Sequence, residues 1–234
     1  MAKRIGIIVT LLAIPSVILA SADIVNGGFE ASGTIPTGIP TAPGYWGGDV
    51  CDVVTSSDGI TPYEGIQMLK FINTTAVGPS SSSVESQLFQ FIDLREYADE
   101  IATGMTRIEA TFYVNRIPGD SNTDTEFKIS IDGFYGDPAY YPNTNYITQT
   151  DSATANHQSD GDIATWEMLS VEFIVPPKTE YICIIISARE NIENDGANPE
   201  FDGHFCDNVT FTIESPVSTK SSTWGKIKRC LTVR

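Results

Sequence analysis

Loop aromatic residues with polar neighbours are the feature of this sequence that points most directly to chemistry. A sugar ring stacks on an exposed aromatic face, while nearby Asp or Asn side chains hydrogen-bond its hydroxyl groups. Trp46 is followed by two glycines, so we expect it to be the most exposed of these aromatic residues. The candidate ligand-binding residues are Tyr45, Trp46, Asp49, Tyr63, Tyr135, Tyr140 and Tyr141. Aromatic residues also fill the cores of β-sandwiches, so a purely structural role for each stays open.

The charge distribution limits the possible partners. The chain has 30 acidic and 14 basic residues and a formal net charge of −16 at pH 7. All 30 acidic residues lie between positions 23 and 214, where only seven basic residues occur, which leaves that segment with a formal charge of −23. Because like charges repel, nucleic acid and anionic membranes are poor partners. The carboxylates could bind Ca²⁺, which prefers oxygen ligands, or simply keep the protein soluble.

The sequence contains no recognisable catalytic constellation. Its two histidines, His157 and His204, lie outside the common hydrolase and metalloprotease motifs. Two carboxylates can cleave a glycosidic bond, but 30 acidic residues offer so many pairs that the sequence selects none. We therefore predict a binding protein and not an enzyme.

Apolar residues recur with a period of two in several segments, which predicts strands with one buried face. Ile108, Ala110, Phe112 and Val114 form one such series. The other predicted strands cover residues 50–54, 67–72, 127–131, 169–175, 181–186 and 209–213. At least seven short strands separated by turn residues predict an all-β, antiparallel jelly-roll sandwich.

One short helix and two long loops interrupt this pattern. Leu94, Tyr97, Ala98 and Ile101 recur at helical spacing after Asp93, which can cap the helix, and Gly104 can end it. The predicted loops cover residues 117–125 and 133–161. The second carries Tyr135, Tyr140 and Tyr141, and loops of this length are usually functional or mobile.

Both ends of the chain differ from the central domain. Residues 1–22 combine Lys3 and Arg4, an apolar stretch and Ala20-Ser21-Ala22, which predicts a cleaved secretory signal and an extracellular or cell-surface location. We expect no transmembrane segment after cleavage, because no later segment is apolar over a sufficient length. Residues 23–214 form the predicted domain. Residues 215–234 form a basic tail whose Thr-Trp-Gly-Lys-Ile-Lys sequence resembles sorting segments of some secreted bacterial proteins.

Four cysteines leave the disulfide pattern open. Export would permit disulfides among Cys51, Cys183, Cys206 and Cys230, but four cysteines allow three pairings and the sequence selects none. No two of them have the C-x-x-C spacing, so a zinc site is not expected.

Short motifs along the domain resemble those of galactose-binding-like domains and carbohydrate-binding modules. Residues 26–30, Asn-Gly-Gly-Phe-Glu, resemble the opening strand of that family, and Asp207-Asn208-Val209 resembles the closing strand. Residues 65–69 and 90–94 resemble segments that lie between them in the same order. The resemblance thus covers nearly the whole domain and implies the same sandwich fold.

The resemblance also implies a metal site and a function. In that family a structural Ca²⁺ joins the two chain ends, which here would place it on Glu30 and Asp207 with the backbone of Gly28 nearby. The implied function is non-catalytic binding of a glycan or another cell-surface component. The alternative is an extracellular structural protein that uses the sandwich for protein contacts, with possible self-association.

Overall fold

Two antiparallel sheets pack face to face in the computed structural model, which describes residues 17–20, 24–31, 33–72, 84–118, 125–190 and 203–216. The predicted all-β sandwich is confirmed. The predicted basic tail, Cys230 and most of the predicted signal segment lie outside the described residues. Among the described residues, no helix is long and apolar enough to cross a membrane.

Each sheet has a main path of five strands. Sheet I has the order β3-β4-β11-β6-β9, with β1 also paired to β11, and sheet II has the order β2-β5-β10-β7-β8. The strands are β1 Val17–Ala20, β2 Trp46–Gly48, β3 Cys51–Val54, β4 Met68–Phe71, β5 Val84–Asp93, β6 Arg107–Arg116, β7 Glu126–Phe134, β8 Gln149–Gln158, β9 Glu167–Ile174, β10 Tyr181–Glu190 and β11 His204–Pro216. Strand β1 lies inside the predicted signal segment, so it would be absent from a chain cleaved after residue 22. Cleavage itself stays a prediction.

The core lies between the sheets and follows the predicted alternation. Ile108, Ala110 and Phe112 of β6 are fully buried against residues of sheet II such as Ile129 and Ile184. Burying each such large side chain stabilises the fold by about 1.5–3 kcal/mol. The inward faces of both sheets are therefore committed to packing, and only the outward faces and loops are free for a ligand.

The predicted helix is confirmed as a 3-10 turn, Arg95–Tyr97, followed by α1, Ala98–Ile101. Leu94, and not Asp93, occupies the N-cap position and makes no side-chain capping bond, whereas Asp93 one residue earlier accepts a 3.0 Å hydrogen bond from the Arg95 backbone N–H. Gly104 has a φ of 69° and donates its N–H to the Ile101 carbonyl at 2.9 Å, which ends the helix.

The prediction of one long loop over residues 133–161 was wrong. Strand β7 continues to Phe134, a 3-10 turn covers Pro138–Tyr140, helix α2 covers Tyr141–Thr148, and β8 follows. The inward-facing residues of β8 include Ala153 and Ala155, which pack only partly buried against the core. Because these side chains are small and their neighbours are polar, the segment lacks the strong apolar alternation that predicts a strand.

Candidate functional site

The outer face of sheet II combines hydrogen-bonding and apolar side chains in register. Ile182, Ile184 and Ile186 of β10 point into the core, so the residues that alternate with them point outward. We call the outward residues of β5, β7, β8 and β10 the sheet II face. Strand register aligns two rows across it: Gln87, Ser187, Lys128 and Asn156 in one, and Phe89, Ile185, Ser130 and Thr154 in the next.

One end of the sheet II face is apolar. Phe91 and Phe134 are buried there beneath Tyr141, whose ring centroid lies 5.1 Å from that of Phe91 and 4.8 Å from that of Phe134. Phe89 and Ile185 pack against this cluster and are only partly buried. They therefore offer apolar surface directly beside the polar rows.

The middle of the sheet II face is polar and linked by hydrogen bonds. Ser187 Oγ donates to Glu85 Oε1 at 2.7 Å, and the same carboxylate forms an ion pair with Lys128 Nζ. Burial by itself would raise the pKa of Glu85. The hydrogen bonds from Lys128 and Ser187 and the charge of Lys128 together have a larger effect in the other direction, so the pKa of Glu85 is lowered. Glu85 is therefore held ionised. Beside it, the Ser130 and Thr154 hydroxyls share a 2.9 Å hydrogen bond.

Two further carboxylates border this polar region. Asp132 accepts a 2.6 Å hydrogen bond from the Tyr141 hydroxyl, and Asp49 accepts a 2.8 Å hydrogen bond from the Gln87 backbone N–H. Burial raises the pKa of both carboxyl groups. Two of the predicted ligand-binding residues, Asp49 and Tyr141, are thus brought to the sheet II face. Tyr141 is only 4% exposed, so its ring packs in the apolar cluster and does not form an open platform.

Tyr135 and Tyr140 belong to the same β7–β8 connection that places Tyr141 on the face. Both are exposed, Tyr135 at 45% and Tyr140 at 63%. The Asp137 carboxylate fixes the turn between them by accepting a 2.9 Å hydrogen bond from the Ala139 N–H. Both aromatic side chains are therefore exposed to solvent near the apolar end.

The expectation that Trp46 is exposed was wrong. Trp46 is 3% exposed, belongs to β2, and packs with its ring centroid 5.9 Å from that of Phe29. Its indole N–H donates to the Asn26 carbonyl at 3.2 Å. Because Trp46 pairs with the inward-facing Gln90 of β5, the strand alternation directs it into the core, and the flanking glycines do not change that.

Tyr45 remains exposed beside a small pocket of about 210 Å³ between the edge strands of the two sheets. The pocket lining includes Tyr45, Trp46, Val25, Ile35 and Val53. The Tyr45 hydroxyl already accepts a 2.9 Å hydrogen bond from the Thr41 N–H. The pocket therefore offers mostly apolar contact and lies apart from the polar rows.

Tyr63 lies on the opposite side of the sandwich. Its ring stacks on Tyr113 of β6 with centroids 3.7 Å apart, and the Trp166 ring meets it edge-on at 6.2 Å. The Trp166 indole N–H donates to the Thr61 carbonyl at 3.2 Å. The predicted ligand-binding residues are thus divided among the sheet II face, the small pocket and the outside of sheet I, and do not form one site.

The two carboxylates predicted to bind a metal do come together where residues 26–30 meet β11. The Val209 N–H donates to the Gly27 carbonyl at 2.9 Å. A Cβ atom placed on Gly28 would lie 3.8 Å from Glu30 Cγ and 4.0 Å from Asp207 Oδ1. Glu30, Asp207 and the backbone around Gly28 therefore line one small region, which we call the cation centre.

The loop before β4 closes the cation centre. Asp207 accepts hydrogen bonds from the N–H groups of Glu64 at 3.1 Å and Asn208 at 2.7 Å. Glu30 Oε1 accepts from Ile66 at 2.8 Å and Gln67 at 2.9 Å. Gly65 has a φ of 69°, and a Cβ there would lie 2.2 Å from Glu30 Oε1, so this position requires glycine.

The donor chemistry of the cation centre suits a hard cation. Burial, together with the nearby Glu30 charge, raises the pKa of Asp207 to about 6 although it accepts several backbone hydrogen bonds. A divalent cation between the two carboxylates would offset both effects. The described part of the chain holds no group of three or more His, Cys, Asp or Glu side chains placed to bind a metal, so backbone carbonyls or water would have to complete the coordination.

The cysteines in the described residues are not paired. Cys51, Cys183 and Cys206 are free thiols. Burial raises the pKa of the Cys51 thiol to about 12 and raises those of Cys183 and Cys206 well above the ordinary value. A raised pKa disfavours the thiolate, which is the form that acts as a nucleophile.

Comparison with known proteins finds similar folds but no family. No family model matches the chain, and no curated protein matches it. Among solved structures, a cyclase from Fischerella sp. TAU is 16% identical, with a TM-score of 0.47, over 87% of this chain and 100% of its own. The CBM22-1 xylan-binding domain from Paenibacillus barcinonensis is 16% identical, with a TM-score of 0.41, over 88% of this chain and 98% of its own.

The enzymatically active domain of tailspike protein 4 from bacteriophage CBA120 is 10% identical, with a TM-score of 0.40, over 84% of this chain. This chain spans only 19% of that solved chain. The similar structures also include carbohydrate-binding modules from the β-sandwich superfamily. At these identities and scores, the likeness by itself assigns neither a ligand nor an activity.

Sequence reasoning missed most of the sheet II face. Glu85, Ser187 and Lys128 are separated by dozens of residues, and their contact depends on the pairing of β5, β10 and β7. The mixture of polar and apolar residues in 84–93 does not say which strands lie beside β5.

Proposed function

We propose that this protein is a secreted, non-catalytic carbohydrate-binding module whose ligand lies on the sheet II face. The observation that carries the proposal is the pair of in-register rows, in which partly exposed Phe89 and Ile185 lie beside exposed Thr154 and the Glu85–Lys128 ion pair. The buried Ser130 and Ser187 hydroxyls hold Thr154 and Glu85 in place from below. A sugar presents both C–H faces and hydroxyl groups, so it needs apolar contact and hydrogen-bond partners side by side. Tyr135 and Tyr140 would add aromatic contact at the apolar end.

The chain offers a matched pair of substitutions to test this assignment. Thr154 on the sheet II face shares a hydroxyl pair with Ser130, and Thr210 on the outside of sheet I shares one with Thr111 at 2.6 Å. Both Thr154 and Thr210 are exposed on strands, so Thr154→Val and Thr210→Val change the same chemistry on opposite faces. Similar melting temperatures would show that both variants fold.

Affinity electrophoresis against a polysaccharide panel, followed by calorimetry, provides the measurement. The panel includes xylan, the ligand named for one of the similar structures. We expect Thr154→Val combined with Asn156→Ala to weaken binding about tenfold, which corresponds to the loss of hydrogen bonds worth about 1.4 kcal/mol. Thr210→Val should bind like the wild type. Equal binding by all variants, or binding lost only with Thr210→Val, contradicts the assignment.

We also propose that the cation centre holds a structural Ca²⁺. Glu30 and Asp207 would supply carboxylate oxygens, and the ion would join the two ends of the domain. Ca²⁺ at one hundred times its dissociation constant should stabilise the domain by about 2.7 kcal/mol. Melting curves in Ca²⁺ and in EDTA should therefore differ for the wild type and coincide for Glu30→Gln. An identical chelator response of both proteins would refute these ligands.

A further inference from the structure

The sheet II face carries its positive charges in ion pairs. Lys128 Nζ is paired with the Glu85 carboxylate, which also accepts the Ser187 hydrogen bond. Arg189 Nη1 lies 3.7 Å from Glu126 Oε1 on the neighbouring strand. Lys128 and Arg189 are thus both already paired with a carboxylate.

Two carboxylates border the same face with neutral partners. Asp132 accepts from the Tyr141 hydroxyl, and Asp49 accepts from the Gln87 backbone N–H. The Glu85 charge acts on Asp49 and raises its pKa further beyond the effect of burial. Asp93 of β5 also points outward and is paired with Arg95. Among the described residues, the face with its border therefore carries three cations (Lys128, Arg189 and Arg95) and five carboxylates (Glu85, Glu126, Asp93, Asp132 and Asp49), which is an excess of negative charge.

Such a surface distinguishes neutral from acidic sugars. Hydroxyl groups of a neutral sugar can donate hydrogen bonds to the carboxylates of the face. A uronic acid carboxylate would approach several like charges within the ionic screening distance of about 8 Å, and would find Lys128 already engaged. Like-charge contact of this kind opposes binding and so contributes to specificity.

We infer that the sheet II face selects uncharged glycans and excludes uronic acid polymers, and that Glu85 sets this selectivity by holding Lys128 in an ion pair. The inference rests on the proposed glycan-binding function. Glu85 is a specificity-determining residue in this account because its removal both frees a cation and deletes a repelling charge. Ser187 fixes the Glu85 carboxylate in position for that role.

The test compares xylohexaose with hexagalacturonate as ligands for the wild type, Glu85→Gln and a matched control. The control is Glu172→Gln, since Glu172 is paired with Arg107 on the outside of sheet I. The wild type and the control should bind xylohexaose and show no uronate binding. Glu85→Gln should gain uronate affinity at least tenfold, and the gain should fall as salt rises. Glu126→Gln, which frees Arg189, provides a second variant if Glu85→Gln does not fold.

The outcomes separate this inference from the function on which it rests. If the wild type binds hexagalacturonate as tightly as xylohexaose, the inference fails while glycan binding stands. The same holds if the folded variants of Glu85 and Glu126 gain no more uronate affinity than Glu172→Gln does. If the wild type binds no member of the neutral panel, the proposed function fails and the selectivity fails with it.

Discussion

Replacing Trp46 tests whether this residue supports the core or contacts a ligand. Trp46→Ala removes an indole that is 3% exposed, packs near Phe29 and donates a 3.2 Å hydrogen bond to the Asn26 carbonyl. Truncating a buried Trp or Phe to Ala typically costs about 3–5 kcal/mol. The Asn26 carbonyl also loses its donor, so we expect a loss of unfolding free energy in the upper part of that range.

Two milder substitutions separate packing from contact. Trp46→Phe keeps most of the buried ring and loses mainly the hydrogen bond and some volume, so we expect a cost of about 1–2 kcal/mol. Tyr45→Phe removes a hydroxyl from a neighbouring residue that is 37% exposed, and its cost should be below about 1 kcal/mol. Neither should change glycan affinity, because Trp46 faces the core side of sheet II.

Urea denaturation followed by circular dichroism gives the unfolding free energies, and calorimetry on the folded fraction gives the affinities. If Trp46→Ala kept the unfolding free energy of the wild type within about 0.5 kcal/mol, the ordinary range for surface substitutions, Trp46 would not be a core residue. Loss of glycan binding by a fully stable Trp46→Phe would instead identify the indole as a ligand contact.

Three further predictions concern the cation centre and the sheet II face. Gly65→Ala should destabilise the domain by about 1–3 kcal/mol and abolish its Ca²⁺ response in thermal melts, because the added Cβ would displace Glu30. The control Gly59→Ala has a similar φ of 87° but 3.6 Å of space for the Cβ, so it should keep the Ca²⁺ response. Because the pKa of Glu85 is lowered in the folded state, its stabilisation is present above the ordinary pKa of 4.5 and is lost as the pH falls through the lower value. The unfolding free energies of the wild type and Glu85→Gln, measured by urea titration, should therefore converge in acid, and a difference that stayed constant with pH would contradict this. Tyr141→Phe should cost about 1–3 kcal/mol at pH 7, since Asp132 loses its hydroxyl donor, and an unchanged unfolding free energy would show that this bond does not stabilise the fold.

The core of the sandwich could be predicted from the sequence because large apolar residues alternate with polar ones. The series Ile108, Ala110, Phe112 and the run from Tyr181 to Ile186 both form strands where expected. Strand β8 could not be predicted, because Ala153 and Ala155 face the core with too little apolar surface to stand out from their polar neighbours. Strands with large apolar side chains on their inward face could be predicted, and β8, whose inward side chains are small, could not.

The candidate sites differ in the same way. The meeting of Glu30 with Asp207 was predicted from a resemblance that covers both chain ends, and the structure places them together. The partners of Glu85 could not be predicted, because strand order and register bring Lys128 and Ser187 to it from distant segments. Trp46 was misassigned because two glycines suggested a loop, whereas strand pairing with β5 decides its direction.

NMR chemical-shift changes of the backbone amides on addition of a glycan would show which surface of the sandwich the glycan contacts. With xylohexaose, or whichever neutral oligosaccharide of the panel binds best, we predict changes concentrated on β5, β10, β7 and β8, around Gln87, Ser187, Ser130 and Thr154. Changes concentrated instead around Tyr63 and Tyr113, or around the Tyr45 pocket, would contradict the assignment of the sheet II face as the binding surface.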